Sequence, residues 1–92
     1  MARKIATNKT VKRNELLDFM RPRHKGVLST TRLNGRPQMS LVTMGLDDRD
    51  RVVIATYPER VKSINARRNP VGSLLVMGEE FNSEWVQIEG TI

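Results

Sequence analysis

The dipeptide Asn34-Gly35 constrains this chain more than any other local feature. It lies between Gly26-Val27-Leu28-Ser29-Thr30-Thr31-Arg32, which alternates and is rich in β-branched residues, and a returning stretch from Arg36 to Met44. Asn-Gly best tolerates the two positive φ angles of a type I′ turn, so the pattern predicts a β-hairpin. Asp47-Asp48-Arg49-Asp50 reads as a second, polar turn, and Arg51-Val52-Val53-Ile54-Ala55-Thr56 as a third strand buried on both faces at its centre. Three antiparallel strands in a meander result, which excludes a helical bundle.

Helices flank this core. Asn14 is placed to cap a short helix with Leu16, Leu17 and Met20 on one face and Glu15 and Asp18 near its positive end, ended by Arg21-Pro22. Tyr57-Pro58 breaks the third strand, and Pro58 to Arg68 predicts a second helix that turns Val61, Ile64 and Ala66 inward, with Asn69-Pro70 as its stop. Val71 to Met77 is a fourth strand, Gly78 to Ser83 an acidic loop, and Glu84 to Ile92 a fifth strand in which Trp85, Gln87 and Glu89 alternate with Val86, Ile88 and Gly90. Five strands and two helices make an α+β, mainly β domain on an antiparallel sheet, for which barrel closure is the usual way to remove exposed edges.

With 92 residues, 38% of them hydrophobic, the chain supports one small core. Residues 1–13 are expected to be a basic, poorly ordered arm and residues 14–92 a single domain. Ile92 falls in or just past a strand, so either a partner chain covers that edge or the natural domain continues. No apolar run is long enough to span a membrane, and no apolar stretch follows the charged start, which gives the expectation of a cytoplasmic protein with no membrane partner. The absence of cysteine and the single His24 exclude disulfides, thiolate nucleophiles and the usual zinc sites. No metal site is expected. The formal charge of +6 favours an anionic partner: nucleic acid, an acidic surface or a phosphorylated cofactor.

Two basic clusters need separate accounts. Arg3, Lys4, Lys9, Lys12 and Arg13 lie in the arm, where solvation is the simpler reading than nucleic-acid binding. Arg60, Lys62, Arg67 and Arg68 lie inside the folded body. There a strand end, Thr56, a short loop and Arg60-x-Lys62 at a helix start bring a hydroxyl, a guanidinium, an ammonium and free helix N–H groups together, as a phosphate monoester requires. From spacing alone, solvation of the polar face of an amphipathic helix is the simpler reading of Arg60 and Lys62. His24 reads as a surface loop residue, the aspartates at 47, 48 and 50 as turn formers, and Trp85 as an anchor in a barrel or an interface.

Taken together, these stretches resemble the flavin and deazaflavin oxidoreductases with the split β-barrel of pyridoxamine 5′-phosphate oxidase. Gly26 to Thr31 followed by Asn34-Gly35-Arg36-Pro37-Gln38-Met39-Ser40 is similar to that family's opening hairpin. Thr56, Arg60, Lys62 and Asn69-Pro70-Val71-Gly72-Ser73-Leu74-Leu75-Val76 resemble its phosphate-binding helix and the strand after it, and Val86-Gln87-Ile88-Glu89-Gly90-Thr91 resembles the next strand. The resemblance implies an antiparallel split β-barrel of the FMN-binding type, here roughly the N-terminal two thirds of the family domain and so shortened at the C-terminus. It implies that Lys62 and Arg60 hold a cofactor phosphate with Thr56 assisting, that Gln38, Met39 and Ser40 line the ring, and that the chain forms a homodimer. It implies hydride transfer between the ring and a small organic substrate, with no catalytic side chain assigned.

The stretch around Gly-Arg-Pro-Gln and the Arg-x-Lys helix resemble the branch using coenzyme F-420, with flavin mononucleotide (FMN) as the alternative. Pyridoxamine phosphate oxidases carry Arg-Lys side by side where this chain has Val61-Lys62. Two competing readings remain, a small basic β-domain binding nucleic acid and a cofactor-binding protein without turnover. The first is disfavoured by an aromatic content of only 4%, since sheets that bind nucleic acid need clustered exposed aromatics.

Overall fold

A computed structural model describes residues 11–92. Its elements run α1 (Arg13–Met20), β1 (Lys25–Thr31), β2 (Pro37–Leu46), β3 (Val52–Ile54), α2 (Val61–Arg68), β4 (Val71–Met77) and β5 (Trp85–Thr91). The strands form one antiparallel sheet in the order β3-β2-β1-β4-β5. The mainly β, antiparallel reading therefore holds. The first ten residues of the expected arm lie outside the described residues, and Arg13 belongs to α1 rather than to an arm.

The hairpin at Asn34-Gly35 forms by a different turn. Gly35 alone takes a positive φ, 84°, while Asn34 does not. The Gly35 N–H donates to the Arg32 carbonyl at 2.9 Å and the Arg32 N–H to the Arg36 carbonyl at 2.8 Å. This is a three-residue loop with a glycine bulge, which needs one left-handed residue where a type I′ turn needs two. Asn34 uses its side chain instead, accepting from the Arg36 N–H at 3.0 Å. The turn from Asp47 to Arg51 repeats the arrangement with Asp50, at φ 58°, in the glycine's place.

Period-two alternation puts Leu28, Val42, Met44, Leu74 and Val76 on one face of the sheet, where Met20 of α1 packs against them. Met20 is 1% exposed and Val76 0%, so this face is the core. Asn14 does not cap α1; Lys12 occupies the capping position without a side-chain hydrogen bond. The third strand is shorter than expected and one-sided, with Ile54 half-buried and Val53 half in solvent, because β3 is an edge paired only to β2. On the outer face Met39 and Leu41 are exposed and Val27, Leu75 and Met77 are half-buried.

The second helix corrects the sequence reading most. Val61 and Ile64 face solvent at 56% and 45% exposure, and the residue buried against the sheet is Asn65, at 3%. Polar contacts hold it there, and they set the orientation of the helix.

Candidate functional site

Helix α2 carries the chain from the β3 edge back across to β4 beside β1, the longest connection between strands among the described residues. Asn65 Nδ2 donates to Thr30 Oγ1 at 3.3 Å, and Thr30 Oγ1 in turn donates to Gln38 Oε1 at 3.5 Å. Arg68 closes the chain by donating through Nη2 to Asn65 Oδ1 at 3.0 Å and to the Thr31 carbonyl at 2.7 Å. Buried amides and hydroxyls are tolerated only when paired in this way. The network fixes the helix over β1 and β2 and turns its 62–63–66 side toward the inner face of the sheet.

A cleft of about 610 Å³ opens between that side of α2 and strands β3, β4 and β5. Its floor is apolar, from Leu28, Val52, Ile54, Leu74 and Ile88, and its rim carries Thr56, Lys62, Ser63, Arg67 and Arg51. Ser63 Oγ lies 3.4 Å from Thr56 Oγ1 and donates to the Tyr57 carbonyl at 2.9 Å, so the two hydroxyls sit side by side at the start of the helix. Arg67 is braced on the Pro58 carbonyl at 2.9 Å. Arg51 is committed to Asp47, its Nε 2.8 Å from Oδ2. Lys62 is half-buried and lines the cleft, and among the described residues the ion pairs are Arg21–Asp50 and Arg51–Asp47, so its ammonium is in no ion pair, although Glu89 of β5 also lines the cleft.

The Asp47 carboxyl is held below its usual value chiefly by the Arg51 backbone N–H, which with the Arg49 N–H and the Arg51 guanidinium outweighs an opposing desolvation. Its Oδ1 accepts from the Arg49 and Arg51 N–H groups at 2.9 Å each. This carboxylate organises the turn that presents Arg51.

The expected site residues separate into three places. Thr56 and Lys62 share the cleft rim. Arg60 stands at the helix cap, exposed, with its guanidinium carbon 5.8 Å from the centre of the Tyr57 ring, and it does not line the cleft. Gln38 and Ser40 lie on the inner face of β2, bonded to each other at 2.8 Å, while Met39 points to the opposite face at 67% exposure. Strand alternation thus keeps these three neighbours from lining one surface together. Sequence reading named Arg67 only as one of a basic cluster, and passed over Ser63 and also Asn65, which a search for apolar positions does not pick out.

The chain and its fold have counterparts among known proteins. The family model of pyridoxamine 5′-phosphate oxidase matches residues 13–92, nearly the whole described chain. The chain belongs to the pyridoxamine 5′-phosphate oxidase family. The fold agrees with that membership. The crystal structure of the conserved hypothetical protein Rv2991 from Mycobacterium tuberculosis superposes with a TM-score of 0.75 at 24% identity, over 97% of this chain and 56% of that one. An F420 reductase structure gives 0.72 at 23% identity, over 90% of this chain and 64% of its own. The chain thus spans less than two thirds of either structure and corresponds to part of a split barrel. No curated protein sequence matches it. Among the described residues no helix is long and apolar enough to cross a membrane.

Proposed function

We propose that the chain is the cofactor-binding part of an oxidoreductase that transfers a hydride on a small organic substrate, with F-420 as the cofactor and FMN as the alternative. One observation carries this reading: the Lys62 ammonium, without a carboxylate partner, beside the Thr56 and Ser63 hydroxyls above an apolar floor. An ammonium and two hydroxyls suit a phosphate in both charge and hydrogen-bonding capacity, and the apolar floor suits a flat ring system. The donor set therefore fits a phosphorylated flavin or deazaflavin.

When bound, such a group supplies a ring that accepts or donates a hydride. The protein's own part is placement. Lys62 neutralises the anion, Thr56 and Ser63 orient it, Arg67 extends the positive rim, and the Asn65–Thr30 bond holds the helix that carries three of them. Arg60 adds long-range attraction from outside the cleft rather than a fixed contact. Gln38 and Ser40, on β2, do not line the cleft, so in this reading they meet the ring only where it extends beyond the cleft toward β2. Met39 belongs with Leu41 on the outer face, and those exposed apolar side chains support a homodimer formed through that face.

A second reading, cofactor binding without turnover, is supported by the share of the longer structures that the chain spans, 56% and 64%. Fluorescence titration with F-420 and with FMN, on this chain and on one extended at its C-terminus, tests both. Saturable binding by this chain with turnover only in the longer one favours the second reading. Binding by neither chain overturns the cofactor assignment.

A further inference from the structure

The outer face of the sheet carries a second cavity, of about 420 Å³, at the end where β1 begins and β4 ends. Its strand side is apolar, from Leu75, Met77 and Trp85, and the loop between β4 and β5 walls it with Glu79, Glu80 and Phe81. That loop is tied to itself. Ser83 donates its N–H and its hydroxyl to the Glu80 carbonyl at 3.0 and 2.5 Å, and its Oγ accepts from the Glu80 N–H at 3.2 Å. A Cβ on Gly78 would collide with Ser83 Oγ and with the Glu84 carbonyl oxygen, so the end of the loop lies directly on its start. Phe81 is nevertheless 97% exposed and Trp85 48%. A tied loop that points a phenyl ring into water beside a half-exposed indole leaves an apolar groove uncovered by any described residue.

Charge decides what fits there. Residues 69–92 hold four glutamates and no Lys or Arg, whereas residues 1–14 hold five cations and no acid. Among the described residues the ion pairs are Arg21–Asp50 and Arg51–Asp47, so neither Glu79 and Glu80 nor Lys25 at the same groove is in an ion pair. Arg3-Lys4-Ile5 carries the complement of Glu79-Glu80-Phe81: two adjacent cations and an aliphatic side chain, against two adjacent carboxylates and an aromatic one. Exposed ion pairs alone hold little. An arginine stacked on an aromatic ring, apolar contact in the groove and a tether to the same chain add to them.

The tether is long enough. The eight residues of α1 span about 12 Å and the four from Arg21 to His24 at most about 14 Å, so Arg13 lies within about 26 Å of Lys25. Extended chain carries Ile5 about 26 Å and Arg3 about 33 Å from Arg13. Independently of the cofactor reading, we propose that Arg3-Lys4-Ile5 docks in the Glu79–Glu80–Phe81–Trp85 groove of its own chain. Arg3 and Lys4 meet the two carboxylates, and Ile5 covers the aromatic rings. The basic start of the chain is then held on the face of the sheet opposite Lys62, where its charge does not enter the cleft.

Trp85 is the single tryptophan and lines the groove, so its fluorescence reports occupancy. The test compares emission and acrylamide quenching, without cofactor, in the full parent chain, a variant with Arg3→Gln, Lys4→Gln and Ile5→Ser, and a variant with Glu79→Gln and Glu80→Gln. Both variants should emit at longer wavelength and quench more strongly than the parent, and the parent should do the same at about 1 M salt, where the screening length falls to about 3 Å. A synthetic peptide of residues 1–12 should reverse the change in the first variant and not in the second. The difference between parent and first variant should persist on dilution, as a contact within one chain requires. Identical Trp85 signals in those two proteins overturn the proposal. So does a difference that vanishes on dilution, which gives the groove to a second copy, and so does a glutamate variant that behaves like the parent.

Discussion

Asn65 on α2 donates its side-chain amide to Thr30 Oγ1 on β1 at 3.3 Å, a bond between residues 35 apart in sequence and both almost fully buried. It joins the helix bearing Lys62 and Ser63 to the strand paired with β2, so the position of the cleft rim depends on it. Replacing Asn65 by alanine leaves Thr30 and the Arg68 guanidinium short of a partner. The expected loss is about 1–3 kcal/mol of unfolding free energy, the usual cost of orphaning buried polar groups. Urea denaturation measures it, and a Thr30→Val, Asn65→Ala double-mutant cycle should show coupling between the two sites.

Lys62→Ala should weaken binding of F-420 or FMN by about ten- to a hundredfold, the equivalent of a charge-assisted hydrogen bond of about 1.5–3 kcal/mol. Arg60→Ala should do less, because Arg60 is exposed and outside the cleft, and its effect should fade with added salt. Equilibrium titration at two salt concentrations separates the contributions.

The outer face gives a third expectation. Leu41 is 79% exposed and Met39 67%, side by side with Val27 and Ser29 through the β1–β2 register. Leu41→Glu with Met39→Glu should convert a dimer into a monomer in sedimentation at micromolar concentration while leaving Tm nearly unchanged. Parent protein that sediments as a monomer contradicts the dimer.

The Asp47 turn predicts a specific pH dependence. A carboxyl whose folded pKa is lowered adds stability at pH values above its unfolded value, near 3.8, and that contribution disappears as pH falls through the lower folded value. Asp47→Asn should therefore be less stable than the parent at neutral pH, with the difference shrinking below about pH 4. Thermal unfolding of both proteins across that range checks the sign.

Much of the sheet was legible in the sequence. Val71–Met77 appears with both ends as expected, since a β-branched run bounded by Asn69-Pro70 and Gly78 leaves little freedom. The Asn34-Gly35 hairpin was legible as a hairpin but not as a turn type, because one left-handed glycine satisfies the loop once Asn34 bonds through its side chain. The face of α2 was misread because apolar periodicity assumes that the buried residue is apolar, and here a satisfied amide takes the place of an aliphatic side chain. Of the residues that line the cleft, Thr56 and Lys62 were singled out by charge and spacing near a helix start. Arg67 was named only as one of a basic cluster and Ser63 was not named, since their place on the rim follows from the rotation that Asn65 imposes.

The most direct test titrates F-420 and FMN against the parent, Lys62→Ala, and a variant lacking the basic side chains at Lys9, Lys12 and Arg13, with a parallel oligonucleotide titration. The account predicts saturable cofactor binding by the parent, the same affinity in the Lys9, Lys12 and Arg13 variant, and a loss of tenfold or more in Lys62→Ala. Cofactor affinity indifferent to Lys62, together with oligonucleotide binding that disappears when the arm loses its charge, would contradict it and leave a basic nucleic-acid-binding domain in its place.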